Sequence, residues 1–86
     1  MFTVRLSEDA QRAFEAAQAP LQRKLDRCFA YLAQDPRRHP NICRLSGRLA
    51  AYYRYRAGDY RVVYRVDEEK RTVWVAEIEH RREVYR

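Results

Sequence analysis

Residues 52–66 of the chain read YYRYRAGDYRVVYRV. Aromatic or apolar residues alternate with arginine on both sides of a short glycine-containing turn, Ala57-Gly58-Asp59. A period of two is typical of strands, so the stretch predicts an antiparallel hairpin with strands at 52–56 and 60–66. A third strand is predicted from Thr72 to Glu79, after a second turn at 67–70, which extends the hairpin to an antiparallel meander.

Alternation also sorts the side chains of this sheet between its two faces. On the middle strand one face holds Tyr60, Val62, Tyr64 and Val66, and the other holds Arg61, Val63 and Arg65. We expect the first set, together with Trp74 of the third strand, to lie in the core. The second set is expected to face outward beside Arg54 and Arg56, which predicts a positively charged patch on the open face of the sheet.

The segment before the hairpin predicts one strand and two helices. Residues 2–6 alternate as in a strand, and Ser7 followed by two acidic residues is typical of a helix start. Pro20 suits the first turn of a second helix, whose apolar residues recur at helical spacing over 21–32 and which Asp35-Pro36 ends. The whole chain is therefore predicted to be a single α+β domain, residues 1–86, in which the strand and the helical hairpin pack on the meander in two layers.

The composition limits the cellular location and the structural class of the protein. With 47% hydrophobic residues and only two glycines it is not a disordered or low-complexity chain. It has no apolar run near the roughly 20 residues that span a bilayer, and its N-terminus lacks the apolar region of a secretory signal. We therefore expect a cytoplasmic protein without a membrane partner. Cys28 and Cys43 are expected to be free thiols.

The net charge of +6 is concentrated in the middle third of the chain. Residues 37–65 hold eight arginines and one acidic residue, Asp59, which gives this stretch a net charge of +7. A focused basic surface attracts polyanions, and the guanidinium group suits bidentate contacts with phosphate. The charge distribution therefore favours a polyanion-binding surface centred on the hairpin.

Two stretches of the sequence resemble the RelE/ParE superfamily of toxins from toxin–antitoxin modules. They are residues 54–64, with the pattern RxRxGDYRVVY, and residues 80–85, with the pattern HRxxVY. The resemblance covers essentially the whole chain and implies the RelE-like fold. It also implies that the protein is the toxin of a type II module. Such a toxin is a metal-independent endoribonuclease, or mRNA interferase, which cleaves ribosome-bound mRNA and inhibits translation.

The resemblance assigns roles to particular residues. It implies that the catalytic residues are Arg54, Arg61, Arg81 and Tyr85. Further RNA-binding residues are expected at Arg37, Arg38, Arg44, Arg48, Arg56 and Arg65. Arginines suit this chemistry because they neutralise the charge that builds on phosphate oxygens when a 2′-OH attacks the phosphorus. The implied partners are a cognate antitoxin, the ribosome and mRNA; we expect no small-molecule cofactor and no metal, because the sequence has no P-loop and no zinc-ligand spacing.

The sequence departs from the best-studied RelE-type sites at the step of proton transfer. Lysines implicated there correspond here to Tyr52 and Arg54, and arginine is a poor general base. Histidine is a residue type suited to proton transfer near neutral pH, but alternation turns His80 to the face opposite Arg81. Two alternatives therefore stay open: a ParE-like toxin that inhibits gyrase without cutting RNA, and a catalytically weak member that binds RNA or the ribosome.

Overall fold

The computed structural model describes residues 1–80 of the chain. The strands in this part are β1 (Thr3–Leu6), β2 (Ile42–Arg44), β3 (Tyr53–Ala57), β4 (Tyr60–Asp67) and β5 (Thr72–His80). The helices are α1 (Glu8–Ala16), α2 (Ala19–Gln34) and a short 3-10 helix (Gly47–Leu49). Both α-helices pack on one face of the sheet, so the predicted α+β fold is confirmed.

Both α-helices begin, and α2 ends, where the sequence predicts. Ser7 caps α1, because its hydroxyl oxygen accepts a hydrogen bond from the amide of Ala10 at 3.1 Å. Pro20 lies in the first turn of α2, and this helix ends immediately before Asp35-Pro36. Within residues 1–80, no helix has both the length and the apolar character needed to cross a membrane.

The five strands form one sheet in the order β1-β5-β4-β3-β2. The central strands β3, β4 and β5 are the predicted antiparallel meander. At one edge β1 pairs parallel with β5, and at the other β2 pairs antiparallel with β3, so the complete sheet is mixed. The sequence did not predict β2, because three residues in a polar loop are too few to show an alternating pattern.

The hairpin of β3 and β4 closes through Gly58 and Asp59 alone, since Ala57 already pairs with Tyr60. Gly58 has a φ of +63°, in the left-handed region that glycine adopts without a steric penalty. Glycine at the first position of a two-residue turn matches the twist of a hairpin. The short turn fixes the register of the two arginine-bearing strands.

The core lies between the helices and one face of the sheet. Its most deeply buried members are Leu25, Cys28 and Leu32 from α2 with Val62, Tyr64, Val73 and Val75 from the sheet. Tyr64 also fixes the loop after α2, because its hydroxyl donates a hydrogen bond to the carbonyl of Pro36 at 2.6 Å. Burial raises the pKa of Cys28 to about 12, and both cysteines are free, as expected.

Trp74 is not a member of this core, so the prediction for this residue was wrong. The register of β4 against β5 shifts between Val63 and Tyr64, which leaves Ala76 without a partner on β4. Such a β-bulge reverses the alternation of side chains along the bulged strand. Val75 therefore enters the core, and Trp74 lies on the opposite face.

Candidate nucleic-acid interface

The face of the sheet that points away from the helices, which we call the outer face, collects the arginines of the hairpin. Residues directly opposite each other on neighbouring strands project to the same side of a sheet. Arg56 on β3 is opposite Arg61 on β4, and Arg61 is opposite Glu79 on β5. This first row therefore brings two arginines and a carboxylate together beside the hairpin turn.

The second row of the outer face contains Arg54, Val63 and Glu77. Val63 is only 5% exposed, although it lies outside the main core cluster, and it gives the row an apolar centre. Within residues 1–80, neither Arg54 nor Arg56 forms an ion pair, so both guanidinium groups can bind an anion without first losing a carboxylate.

Arg61 forms an ion pair on the outer face. Its Nε lies 2.8 Å from an Oε of Glu79, and the two side chains are 23% and 24% exposed. This contact is more shielded from solvent than the other ion pairs of the described chain, whose side chains are all 39% exposed or more. Glu79 thus holds the guanidinium in a fixed orientation and also competes with any phosphate for it.

Glu77 lies beside this ion pair and completes a pair of carboxyl groups. A hydrogen bond to Glu79, partial burial and the charge of Glu79 raise the pKa of Glu77 to about 7. The same hydrogen bond, with Arg61, holds the pKa of Glu79 below its ordinary value. The outer face therefore contains one carboxylate that stays ionised and one carboxyl group that exchanges its proton near neutral pH.

These two carboxyl groups are not among the site residues that the sequence predicts. The alternation Glu77-Ile78-Glu79 was the available signal, because it puts both carboxyl groups on one face of β5. Their position relative to Arg61 depends on the register of β5 against β4, which the bulge sets. Alternation alone does not give that register.

A third row, beyond the bulge, contains Arg5 on β1, Trp74 on β5 and Arg65 on β4. The guanidinium carbon of Arg5 lies 5.4 Å from the centre of the indole ring, and that of Arg65 lies 5.9 Å from it. Both distances fall within the range of cation–π contacts. Of the predicted site residues, Arg54, Arg56, Arg61 and Arg65 thus share the outer face.

The other four predicted RNA-binding arginines lie away from these three rows. Arg37 forms an ion pair with Glu68 of the β4–β5 turn, and Arg38 follows it in the loop after α2. Arg44 is opposite Tyr53, on the helix-facing side of the sheet edge, and its Nε donates to the carbonyl of Ala50 at 3.3 Å. Arg48 is exposed in the 3-10 helix.

Of the residues that the sequence singled out near the C-terminus, the structure describes His80 but not Arg81 and Tyr85. His80 is opposite Tyr60, and the two rings meet edge to face at 4.9 Å on the helix-facing side of the sheet. His80 is therefore turned away from the carboxyl pair on the outer face. Arg81 and Tyr85 lie outside the described residues, so their assignment stays a prediction.

Comparison with known proteins gives a consistent result for nearly the whole chain. The family model described as the ParE toxin of the type II toxin–antitoxin system, parDE, matches residues 4–85. Toxin RelG of Mycobacterium tuberculosis is 31% identical over 86 residues, which cover 99% of this chain and 97% of that toxin.

Solved structures share the fold. The toxin–antitoxin complex RelBE2 of Mycobacterium tuberculosis contains a chain that is 27% identical, with a TM-score of 0.79 over 93% of this chain and 98% of that one. The isolated RelE toxin of Escherichia coli is 22% identical, with a TM-score of 0.79 over 93% of this chain and 84% of that one. The second similarity shows the fold alone.

Proposed function

The chain belongs to the ParE toxin family of type II toxin–antitoxin systems. We propose that it is a metal-independent endoribonuclease that cleaves ribosome-bound mRNA and so inhibits translation, as its resemblance to RelE-type toxins implies. One observation carries the proposal: Arg54, Arg56 and Arg61 share the outer face with a carboxyl pair. This combination supplies both anion binding and proton transfer, which cleavage of RNA at a 2′-OH requires.

The arginines act on the phosphate in this proposal. The 2′-oxygen attacks the adjacent phosphorus, the bond from phosphorus to the 5′-oxygen breaks, and a 2′,3′-cyclic phosphate and a 5′-OH are formed. Negative charge grows on the non-bridging oxygens during this step, and fixed donors aimed at them are worth about 3 kcal/mol each. Arg54 and Arg56 are available as donors, and Arg61 becomes available when phosphate replaces Glu79 as its partner.

Glu77 is the proton acceptor in this proposal. As a carboxylate it takes the proton of the attacking 2′-OH, a role that arginine cannot fill because it stays protonated. The leaving 5′-oxygen takes its proton from water. Glu77 suits the role because it lies in the same row as Arg54 and its pKa is near neutrality. The carboxyl group of Glu77 thus takes the role of the lysines that RelE-type sites have where this chain has Tyr52 and Arg54.

The proposal includes a cognate antitoxin as partner. The similar chain of RelBE2 was solved as a toxin–antitoxin complex, and a net charge of +7 over residues 37–65 calls for a partner with acidic segments. Such a partner competes with mRNA for the outer face. The ribosome, which presents the message to the outer face, is the other partner in this proposal.

The test is cleavage of a message during translation in a ribosome-containing extract. Protein freed of antitoxin should produce discrete primer-extension stops within the translated message, and Arg61→Ala should reduce their yield by about 100-fold. Arg12→Ala is the matched control, because Arg12 lies exposed on α1, and it should cleave like the wild type. Intact messages with the wild-type protein, or equal stops with Arg61→Ala, would contradict the proposal.

A second candidate function is inhibition of gyrase without cleavage of RNA. The observation that favours it is the Arg61–Glu79 ion pair, because a neutralised guanidinium binds phosphate less well. Inhibition of DNA supercoiling at concentrations that leave translation unaffected supports this candidate. Cleaved messages, together with unaffected supercoiling, exclude it.

A further inference from the structure

We propose that Arg5, Trp74 and Arg65 form a stacking subsite for a base of single-stranded RNA, beside the proposed cleavage centre. The inference rests on the proposed function in one respect, namely that RNA is the ligand of the outer face. It adds a binding site that uses a residue of β1, far from the hairpin in sequence, and an aromatic ring that the cleavage chemistry does not use.

The three side chains form a continuous row across three strands. Trp74 lies between Arg5 and Arg65 in the register of the sheet, with the guanidinium carbons 5.4 Å and 5.9 Å from the centre of its ring. Both arginines are exposed and the indole is partly exposed. Within residues 1–80 neither arginine forms an ion pair, so both charges are available to phosphates.

The outward position of Trp74 is fixed by the backbone. The bulge at Ala76 turns the indole out of the core, and the hydroxyl of Ser7 donates a hydrogen bond to the carbonyl of Ala76 at 2.6 Å. Bulges are frequent next to active sites, where they redirect a side chain. A large ring held on an open sheet face between two cations is a better platform for a ligand than a freely rotating surface side chain.

A nucleic-acid base is the ligand that fits this chemistry. Unstacked bases bind aromatic rings through their faces, so the base takes the place of one guanidinium group over the indole, and the displaced arginine binds a neighbouring phosphate. Arg61 and Arg65 both point to the outer face of β4 and are four residues apart, or about 13 Å. The stacked base therefore belongs to a nucleotide a short distance along the strand from the cleaved bond. Stacking tolerates every base, so this subsite adds affinity and positioning without sequence selectivity.

The fluorescence of Trp74 reports on the subsite directly, because it is the single tryptophan of the chain. Titration of the antitoxin-free protein with a short single-stranded uridine or adenosine oligomer should quench this fluorescence in a saturable, salt-sensitive way. Fluorescence that stays unchanged while a labelled oligomer binds to saturation would overturn the inference. Quenching by the antitoxin but not by RNA would also overturn it and would assign the ring to a protein partner.

Substitutions test the same subsite by the binding of a labelled oligomer. We expect Trp74→Leu to bind about 10-fold more weakly and Trp74→Phe to retain most of the affinity. Arg5→Ala and Arg65→Ala keep the indole and should each weaken binding, with the salt slope falling by roughly 0.7. If Trp74→Leu does not fold, Arg5→Ala and Arg65→Ala test the subsite instead, because quenching of Trp74 fluorescence by the oligomer can still be measured in both. Wild-type affinity in the folded Trp74→Leu variant, or in both arginine variants, would overturn the inference.

Different results would contradict the stacking subsite and the proposed function. Quenching by RNA without cleavage of translated messages would remove the proposed function and leave the stacking subsite in place. Cleavage without quenching would remove the subsite and leave the proposed function in place. Arg12→Ala, on the helical side of the molecule, serves as the charge-matched control and should bind RNA like the wild type.

Discussion

The outer face differs from a simple basic patch because it holds two carboxyl groups among its arginines. Glu79 restrains Arg61, and Glu77 exchanges a proton with solvent near neutral pH. The two side chains depend on each other, because the hydrogen bond between them requires one of the pair to be protonated. The protonation state of this pair should therefore affect both the stability of the protein and its chemistry.

We predict that Glu77→Gln changes the pH dependence of stability. Between about pH 4.5 and pH 7 the folded wild type keeps a proton on Glu77 that the unfolded chain releases, so its free energy of unfolding falls as pH rises through this range. The Glu77→Gln variant has no carboxyl group at this position, so its free energy of unfolding does not fall for this reason. Its thermal midpoint should therefore exceed that of the wild type at about pH 8, and the difference should shrink toward about pH 5.

The solvent exposure of Glu77 limits the size of this stability difference. Glu77 is accessible to solvent, so screening keeps the difference below about 1 kcal/mol. Glu69→Gln, in the exposed β4–β5 turn, is the matched control and should give a difference that does not vary with pH. A midpoint difference for Glu77→Gln that is equally flat would refute the assignment of the shared proton.

At the scale of elements, Ser7 connects the start of α1 to the bulge of β5. Its hydroxyl oxygen accepts from the amide of Ala10 and its proton goes to the carbonyl of Ala76. One side chain thus satisfies a free amide of the helix and holds the backbone that turns Trp74 outward. The helical layer and the outer face are coupled through this residue.

We predict that Ser7→Ala lowers the free energy of unfolding by about 1–2 kcal/mol, because it removes the helix cap and the hydrogen bond to the bulge. Urea unfolding measures this difference. Ser46→Ala is the matched control: Ser46 precedes the 3-10 helix but its side chain makes no capping hydrogen bond. Equal stabilities for the two variants would show that the Ser7 contacts contribute nothing.

The sequence predicted most elements and the antiparallel meander, but not the pairing of the two edge strands or the bulge. Alternation and capping residues located the helices and the meander, because these signals are local. The parallel pairing of β1 with β5 and the short β2 depend on contacts distant in sequence, which a period cannot reveal. The bulge at Ala76 had the largest consequence, because it reversed the face of Trp74 and placed Glu79 opposite Arg61.

In the molecule as a whole, the two faces of the sheet differ in what they carry. The helices cover the apolar face, and the outer face carries the hairpin arginines that the sequence predicted. Two of the eight arginines of residues 37–65 are partly neutralised, because Arg37 pairs with Glu68 and Arg61 with Glu79. Among the arginines of the outer face, Arg54, Arg56 and Arg65 form no ion pair within residues 1–80.

The pH dependence of mRNA cleavage distinguishes an arginine–carboxyl face that cleaves RNA from one that only binds it. The measurement is the single-turnover rate on mRNA bound to programmed ribosomes, for the wild type and Glu77→Gln. We predict that the wild-type rate rises with pH and levels off above about pH 7, because the carboxylate form of Glu77 accepts the proton. Glu77→Gln should be at least about 100-fold slower and lose this dependence. Uncleaved mRNA at every pH, or equal profiles for the two proteins, would contradict the account.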